Sequence, residues 1–215
     1  MSIHGFVQAG GGSTRFGTDK ALVELAGKTM LRRTGELLES VCDLVTIVAP
    51  VGKYADAPWP LLHDRWPGEG PLGGILTALL LLNDQASSLV AQASSRTAQS
   101  IALILSCDMP FLTREFLVYL CARASGSRAL VVVPQQSATG LEPLCACWNS
   151  RAVAGVQAAF ESGVRKVTEA MKRLPMEVLD ESAWKRFDTG NRLFWNMNTP
   201  ADYEQARRTL EAPQR

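Results

Sequence analysis

Ile101 to Leu105 is an unbroken apolar run that stops at Ser106-Cys107-Asp108-Met109-Pro110. Such a run has no polar side to give to water, so it predicts a strand buried on both faces. A strand of that kind needs helices above and below its sheet. The rest of the chain supplies them. Ile3 to Gln8 and Leu44 to Ala49 read as further buried strands, ended by Gly10-Gly11-Gly12 and by Pro50. Leu61-Leu62-His63 reads as a short strand before Asp64. Between them, Thr29 to Ser40 has helical spacing, with Met30, Leu31, Leu37, Leu38 and Val41 on one side and Thr29 as N-cap.

The alternation continues. Gly68-Glu69-Gly70-Pro71-Leu72-Gly73-Gly74 is a second glycine-rich loop, leading into an apolar helix from about Ile75. Asn83 to Ser100 is small and polar, and predicts a mobile surface loop with no assigned role. A helix is expected from Thr113 to Ala124 and a strand from Ala129 to Val133. Leu144 to Trp148 reads as a strand with Cys145 and Cys147 on one face; Ala152 to Phe160 and Lys166 to Leu174 read as helices. Phe194-Trp195-Asn196 reads as a short strand, and Pro200 opens a last helix. Alternating strands and helices predict an α/β sandwich with a mainly parallel sheet. With no internal repeat and no clear linker, the chain is expected to be a single domain over residues 1–215.

Composition narrows the partners. A net charge of +1 excludes a broad basic face for nucleic acid or an anionic membrane. The longest dense apolar run, Ile75 to Leu82, is too short to span a bilayer. The first residues carry no basic stretch followed by an apolar run, so no signal peptide is expected. Five scattered cysteines, without a C-x-x-C pair and with only His4 and His63 for company, make a zinc site improbable. They read as reduced thiols in a cytoplasmic protein.

Chemistry concentrates at strand ends. Ala9 to Lys20 follows a strand; its glycines let backbone N–H groups approach phosphate, and Arg15 and Lys20 add charge that compensates a polyphosphate. Two common fingerprints fail. A dinucleotide motif from Gly10 needs glycine at position 15 and finds Arg15; a P-loop from Gly12 reaches Gly17 but then meets Thr18-Asp19. Gly27-Lys28-Thr29 lacks its upstream glycine and reads as a turn before a helix N-cap. Asp108, at the end of the most apolar strand, can hold a magnesium ion through one or two oxygens. Capping of the next helix explains it less well, because Thr113 is better placed. Asp64 with Gly70 to Gly74 fits either a nucleoside contact or a surface turn. Asn196 and Asn198 point the same way if extended, towards a metal shell or a phosphate. A cap on the last helix would account for one of them, not both. Glu142 fits either the wall of an acceptor pocket or an ordinary loop.

Together these motifs resemble a known family. Ala9-Gly10-Gly11-x-Ser13-x-Arg15-Phe16-Gly17-x-Asp19-Lys20 is similar to the signature of the molybdenum cofactor guanylyltransferases. So are Gly68-x-Gly70-Pro71-Leu72-Gly73-Gly74, Cys107-Asp108-Met109-Pro110-Phe111, Glu142-Pro143-Leu144 and Asn196-x-Asn198-Thr199-Pro200. The order and spacing fit from Gly5 to about Ala206. The resemblance implies a Rossmann-like three-layer sandwich of the nucleotide-diphospho-sugar transferase type. It implies Mg2+-dependent transfer of GMP from GTP to molybdopterin bearing molybdenum, with release of pyrophosphate. Proteins that deliver or receive the cofactor are further implied partners; nucleic acid and membrane are not.

Carried over by position, Gln8, Ala9, Gly10, Gly11, Lys20, Asp64 and Gly73 would contact the nucleotide. Asp108 would be the magnesium ligand, Arg15, Lys20 and Asp108 would serve catalysis, and Glu142, Asn196 and Asn198 would lie on the acceptor side. Gln8 replaces a usual leucine and Phe16 a usual methionine. Cytidylyl relatives usually show Ala-Ala-Gly and Asp-Gln-Pro, so Ala9-Gly10-Gly11 and Asp108-Met109-Pro110 favour the guanylyl branch. The alternative is an enzyme of the same fold using CTP or another triphosphate, on a molybdopterin, a sugar phosphate or another phosphorylated acceptor.

Overall fold

The computed structural model describes residues 2–10, 19–92, 100–137 and 140–211. Strand β1 (Ser2–Gln8) is the first of the sheet. After a 3₁₀ turn at Lys20–Leu22, a small hairpin of β2 (Glu24–Leu25) and β3 (Lys28–Thr29) leads into α1 (Met30–Glu39). Thr29 caps α1 by accepting from Arg32 N at 3.2 Å, as its position before an amphipathic run predicts. Then come β4 (Leu44–Ala49), β5 (Leu61–His63) and α2 (Pro71–Gln92). Strand β6 (Ser100–Ser106) carries the apolar run, and Thr113 caps the following α3 (Arg114–Gly126). Strands β7 (Val131–Ser137), β8 (Gly140–Leu141) and β9 (Cys145–Asn149) precede α4 (Val153–Glu161), α5 (Val167–Met171) and β10 (Met176–Leu179). The chain closes with α6 (Glu181–Trp184) and α7 (Pro200–Glu211).

The sheet runs in the order β10-β7-β9-β6-β1-β4-β5, with β8 beside β7. Strand β1 pairs in parallel with β4 and β6, β4 with β5, and β10 with β7; β9 runs antiparallel to both neighbours. Side chains of β6 alternate between two cores. Ile101, Leu103 and Leu105 pack with α1 and α3, while Ala102 and Ile104 pack with α2 and α4. This is the three-layer α/β/α sandwich the apolar runs call for. Cys145 and Cys147 share one face, opposite Ala146 and Trp148. All five cysteines are free thiols, four of them buried. Among the described residues, no helix is long and apolar enough to cross a membrane.

Four expectations change. The loop expected over Asn83–Ser100 is helical as far as Gln92, so α2 spans 22 residues. No glycine or proline interrupts positions 75–92, and alanine, leucine and glutamine sustain a helix however bland they look. At its other end α2 begins at Pro71 rather than near Ile75, with proline in the favoured first position and Gly73 and Gly74 already inside the helix. Phe194–Asn196 is not a strand. Phe194 instead packs edge-on against Phe116 and Trp184, and Leu193 and Met197 bury beside it, so the hydrophobic effect rather than a backbone ladder fixes this segment. The helix expected to reach Leu174 stops at Met171, and Leu174 tucks against Gly155, where a Cβ would sit 2.4 Å from its Cδ2.

Candidate active site

Strands β1, β4, β5 and β6 end at one edge of the sheet. The residues just beyond them are Ala9, Pro50, Asp64 and, two positions on, Asp108. They line a cavity of about 550 Å³. Ligands of open α/β sheets bind at such an edge, outside the carboxyl ends of the strands.

The β1 exit supplies Gln8, Ala9 and Gly10. Gly10 has φ +108°, and a Cβ there would lie 2.3 Å from Pro50 Cδ, so only glycine lets the two strand exits approach. Gly11 and Arg15 lie outside the described residues. Asp19 and Lys20 return the chain to the cavity. Asp19 caps the 3₁₀ turn that carries Lys20, accepting from Ala21 N at 3.2 Å.

Lys20 Nζ donates to Asn198 Oδ1 at 2.7 Å. That asparagine is free for the contact because its neighbours cap α7. Asp202 N donates to Thr199 Oγ1 at 3.2 Å, and Asp202 Oδ2 accepts from the N–H groups of Asn198 (2.8 Å) and Thr199 (2.7 Å). This is a reciprocal capping box with aspartate in the acidic position. Asn196 does not point with Asn198: it donates to Phe194 O at 3.1 Å and to Glu142. The segment is not a strand, so no ladder imposes a shared face on the two asparagines.

Asp108 sits with its Oδ1 accepting from Ser106 Oγ at 2.5 Å, and its backbone carbonyl accepts from Met197 N at 2.8 Å. Glu142 stands behind it, off the cavity wall, with Gln136 Nε2 donating at 2.7 Å. Burial first, and then the Asp108 charge, push the Glu142 carboxyl up to about 7, against hydrogen bonds from Asn196 and Gln136 that favour its anion. Asp64 lines the cavity, while its Oδ1 accepts from Trp66 N at 2.9 Å and Thr77 Oγ1 at 3.3 Å. Gly73 lies in α2 facing Trp66; Gly68 and Gly70 of the preceding loop, with Pro71 at the start of α2, reach the cavity wall instead.

Ser106, Gln136 and Met197 are contacts the sequence reading missed. Ser106 had a signal, since it stands two positions before Asp108 at the end of a strand. Lys53 and Tyr54, which bond to Asp19, had none.

Among the described wall residues, Lys20 is the one cation, against the carboxylates of Asp19, Asp64 and Asp108. Three carboxylates on one wall repel a polyphosphate unless their charge is answered. The oxygen-rich donor set suits a hard divalent ion. One carboxylate, completed by water and substrate phosphate, is how magnesium is usually held.

The model of the MobA-like NTP transferase domain matches residues 5–175. The chain belongs to the MobA-like NTP transferase family. Members similar to it include the probable molybdenum cofactor guanylyltransferase of Chloroflexus aggregans, 29% identical over 206 residues and covering 94% of this chain and 92% of that protein. The probable molybdenum cofactor guanylyltransferase of Deinococcus radiodurans is 30% identical over 198 residues, covering 91% of this chain and 89% of that one. In structure, the family fold is shared with molybdopterin-guanine dinucleotide biosynthesis protein A from Archaeoglobus fulgidus, with TM-score 0.76 and 23% identity, covering 96% of this chain and 98% of the other.

Proposed function

We propose that this MobA-like transferase moves GMP from GTP to the phosphate of molybdenum-bearing molybdopterin and releases pyrophosphate. The observation that carries the reading is one cavity wall on which Lys20 and Asp108 meet, beyond the carboxyl ends of parallel strands. The name shared by relatives that match nearly end to end supports the choice of GTP and acceptor.

An acceptor phosphate oxygen attacks the α-phosphorus in line. A new P–O bond forms, the bond to the bridging oxygen breaks, and pyrophosphate leaves with the electron pair. The attacking oxygen is already anionic, so no general base and no covalent enzyme intermediate are needed. Positioning and charge compensation supply the rate. Lys20 donates to the triphosphate, and Asn198 aims its ammonium. Gln8, Ala9 and Gly10 form the floor against the nucleoside, with Asp64 as a further acceptor; Glu142 and Asn196 buttress Asp108 from the acceptor side. Asp108 would hold Mg2+, which offsets phosphate charge and polarises the α-phosphorus when bound. Five free thiols fit a reducing, cytoplasmic setting.

The test is transfer from each α-phosphate-labelled triphosphate to molybdopterin with magnesium present. Label is expected in a dinucleotide from GTP. Transfer from CTP with none from GTP would overturn the guanylyl reading.

A further inference from the structure

Asp19 is an unexpected neighbour for a triphosphate. It puts a carboxylate on the cavity wall beside Lys20, where an anion repels a polyphosphate. Yet the carboxylate is held on both oxygens. Oδ1 accepts from Ala21 N at 3.2 Å, capping the turn that carries Lys20. Oδ2 accepts from Lys53 Nζ at 2.8 Å and from Tyr54 Oη at 2.8 Å. Both donors come from the loop after β4, on the far side of Pro50.

That loop adopts an uncommon backbone to do this. Tyr54 has φ +57°, a left-handed conformation that side chains other than glycine rarely take. Its ring packs against the core, and Lys53 Nζ lies 5.8 Å from the ring centre. Burial and the Asp19 carboxylate push the Tyr54 phenol up, so it keeps its proton. Burial alone would raise the Asp19 carboxyl, but the bonds from Lys53, Tyr54 and Ala21 outweigh it and hold Asp19 below its ordinary value. The aspartate therefore stays ionised beside the cavity, and its charge is answered from behind.

We propose that Lys53 and Tyr54 are positioning residues of the nucleotide site: they neutralise and immobilise Asp19, so that its carboxylate fixes the Lys20 turn instead of repelling the triphosphate. The inference rests on the reading of this cavity as a nucleotide site.

The test is binding of Mg·GTP by calorimetry to the wild type, Lys53→Met and Asp19→Asn/Lys53→Met. In the double variant, asparagine Oδ1 still accepts from Ala21 N, so the cap survives. Lys53→Met is expected to raise Kd about tenfold at low ionic strength and much less at high salt, because the lost term is a screened charge. The double variant is expected to return to within about twofold of wild type, since neither charge remains. If it binds as weakly as Lys53→Met, Lys53 touches the phosphates itself and the proposal falls. Unchanged binding by Lys53→Met also overturns it. Tyr54→Phe is expected to raise the KM for GTP about threefold with kcat within about twofold, at an unchanged melting temperature. A lower kcat at constant KM would overturn its positioning role. A wild type that binds no Mg·nucleotide would strike at the nucleotide reading itself, an outcome distinct from a wild type and a Lys53→Met variant that bind equally well.

Discussion

Lys20 Nζ donates to Asn198 Oδ1 at 2.7 Å across 178 positions of sequence. The contact brings segments far apart in sequence to one cavity, and an amide oxygen aims the ammonium without itself neutralising it. Asn198→Asp replaces it with an exposed ion pair. Stability is expected to change by less than about 1 kcal/mol. Triphosphate affinity should fall about tenfold, since the charge is answered before the ligand arrives. Asn198→Ala, which loses the aim but not the charge, should fall less. Nucleotide titration and thermal unfolding of both variants check the order; an affinity gain in Asn198→Asp would refute it.

Asp108→Asn keeps an oxygen for Ser106 Oγ, so the strand end should hold together. It removes the charge proposed to bind magnesium. Turnover is expected to drop about a thousandfold, with a melting temperature close to wild type. Pyrophosphate release at saturating GTP and magnesium measures the loss. Near-normal release would end the proposed role of Asp108.

Much of this was legible from the sequence where local pattern and tertiary fate agree. Ile101–Leu105 reads as a doubly covered strand because every one of its side chains is apolar, and both cores use it. The candidate residues of the cavity were visible because they follow strand ends, where α/β topology gathers them. Legibility failed where the determining contact is distant. Gly73 and Gly74 look like loop residues until one sees that Gln8 and Trp66 occupy the space their side chains would need. The Phe194 segment has strand-like composition, but its hydrophobic partners Phe116 and Trp184 lie on two other helices. The grip of Lys53 and Tyr54 on Asp19 depends on a left-handed tyrosine that no propensity announces.

Glu142 makes stability depend on pH. Its carboxyl titrates at about 7 in the folded protein against an ordinary 4.5. Between those values the folded chain keeps a proton that the unfolded chain releases. Stability from this group is therefore full below 4.5, falls as pH rises through the window, and levels off above about 7. Glu142→Gln still accepts from Gln136 Nε2 through its amide oxygen and carries no charge. The variant should match the wild type near pH 4.5 and exceed it by about 2 kcal/mol near pH 8. Urea unfolding of both proteins across that range gives the difference directly, and a difference independent of pH would contradict the assignment.

Gly74 of α2 lies close against Gln8 of β1 beside the cavity. A Cβ on Gly74 would lie 2.4 Å from Gln8 Nε2 and 3.0 Å from Gln8 Cδ, but 3.5 Å from Val48 Cγ1, an ordinary contact. Glycine to alanine inside a helix normally stabilises by up to about 1 kcal/mol. Here the new methyl must displace the Gln8 amide, which donates to Pro71 O at 2.7 Å. Gly74→Ala is therefore expected to destabilise by about 1–2 kcal/mol despite the better helix former. Gln8→Ala/Gly74→Ala removes the obstruction. It also deletes Gln8 Oε1, a buried acceptor without a partner among the described residues, so little is lost with it. The double variant should recover most of the stability that Gly74→Ala alone loses. Urea midpoints decide the matter: if Gly74→Ala by itself raises the midpoint, Gln8 does not hold the position that keeps this residue a glycine.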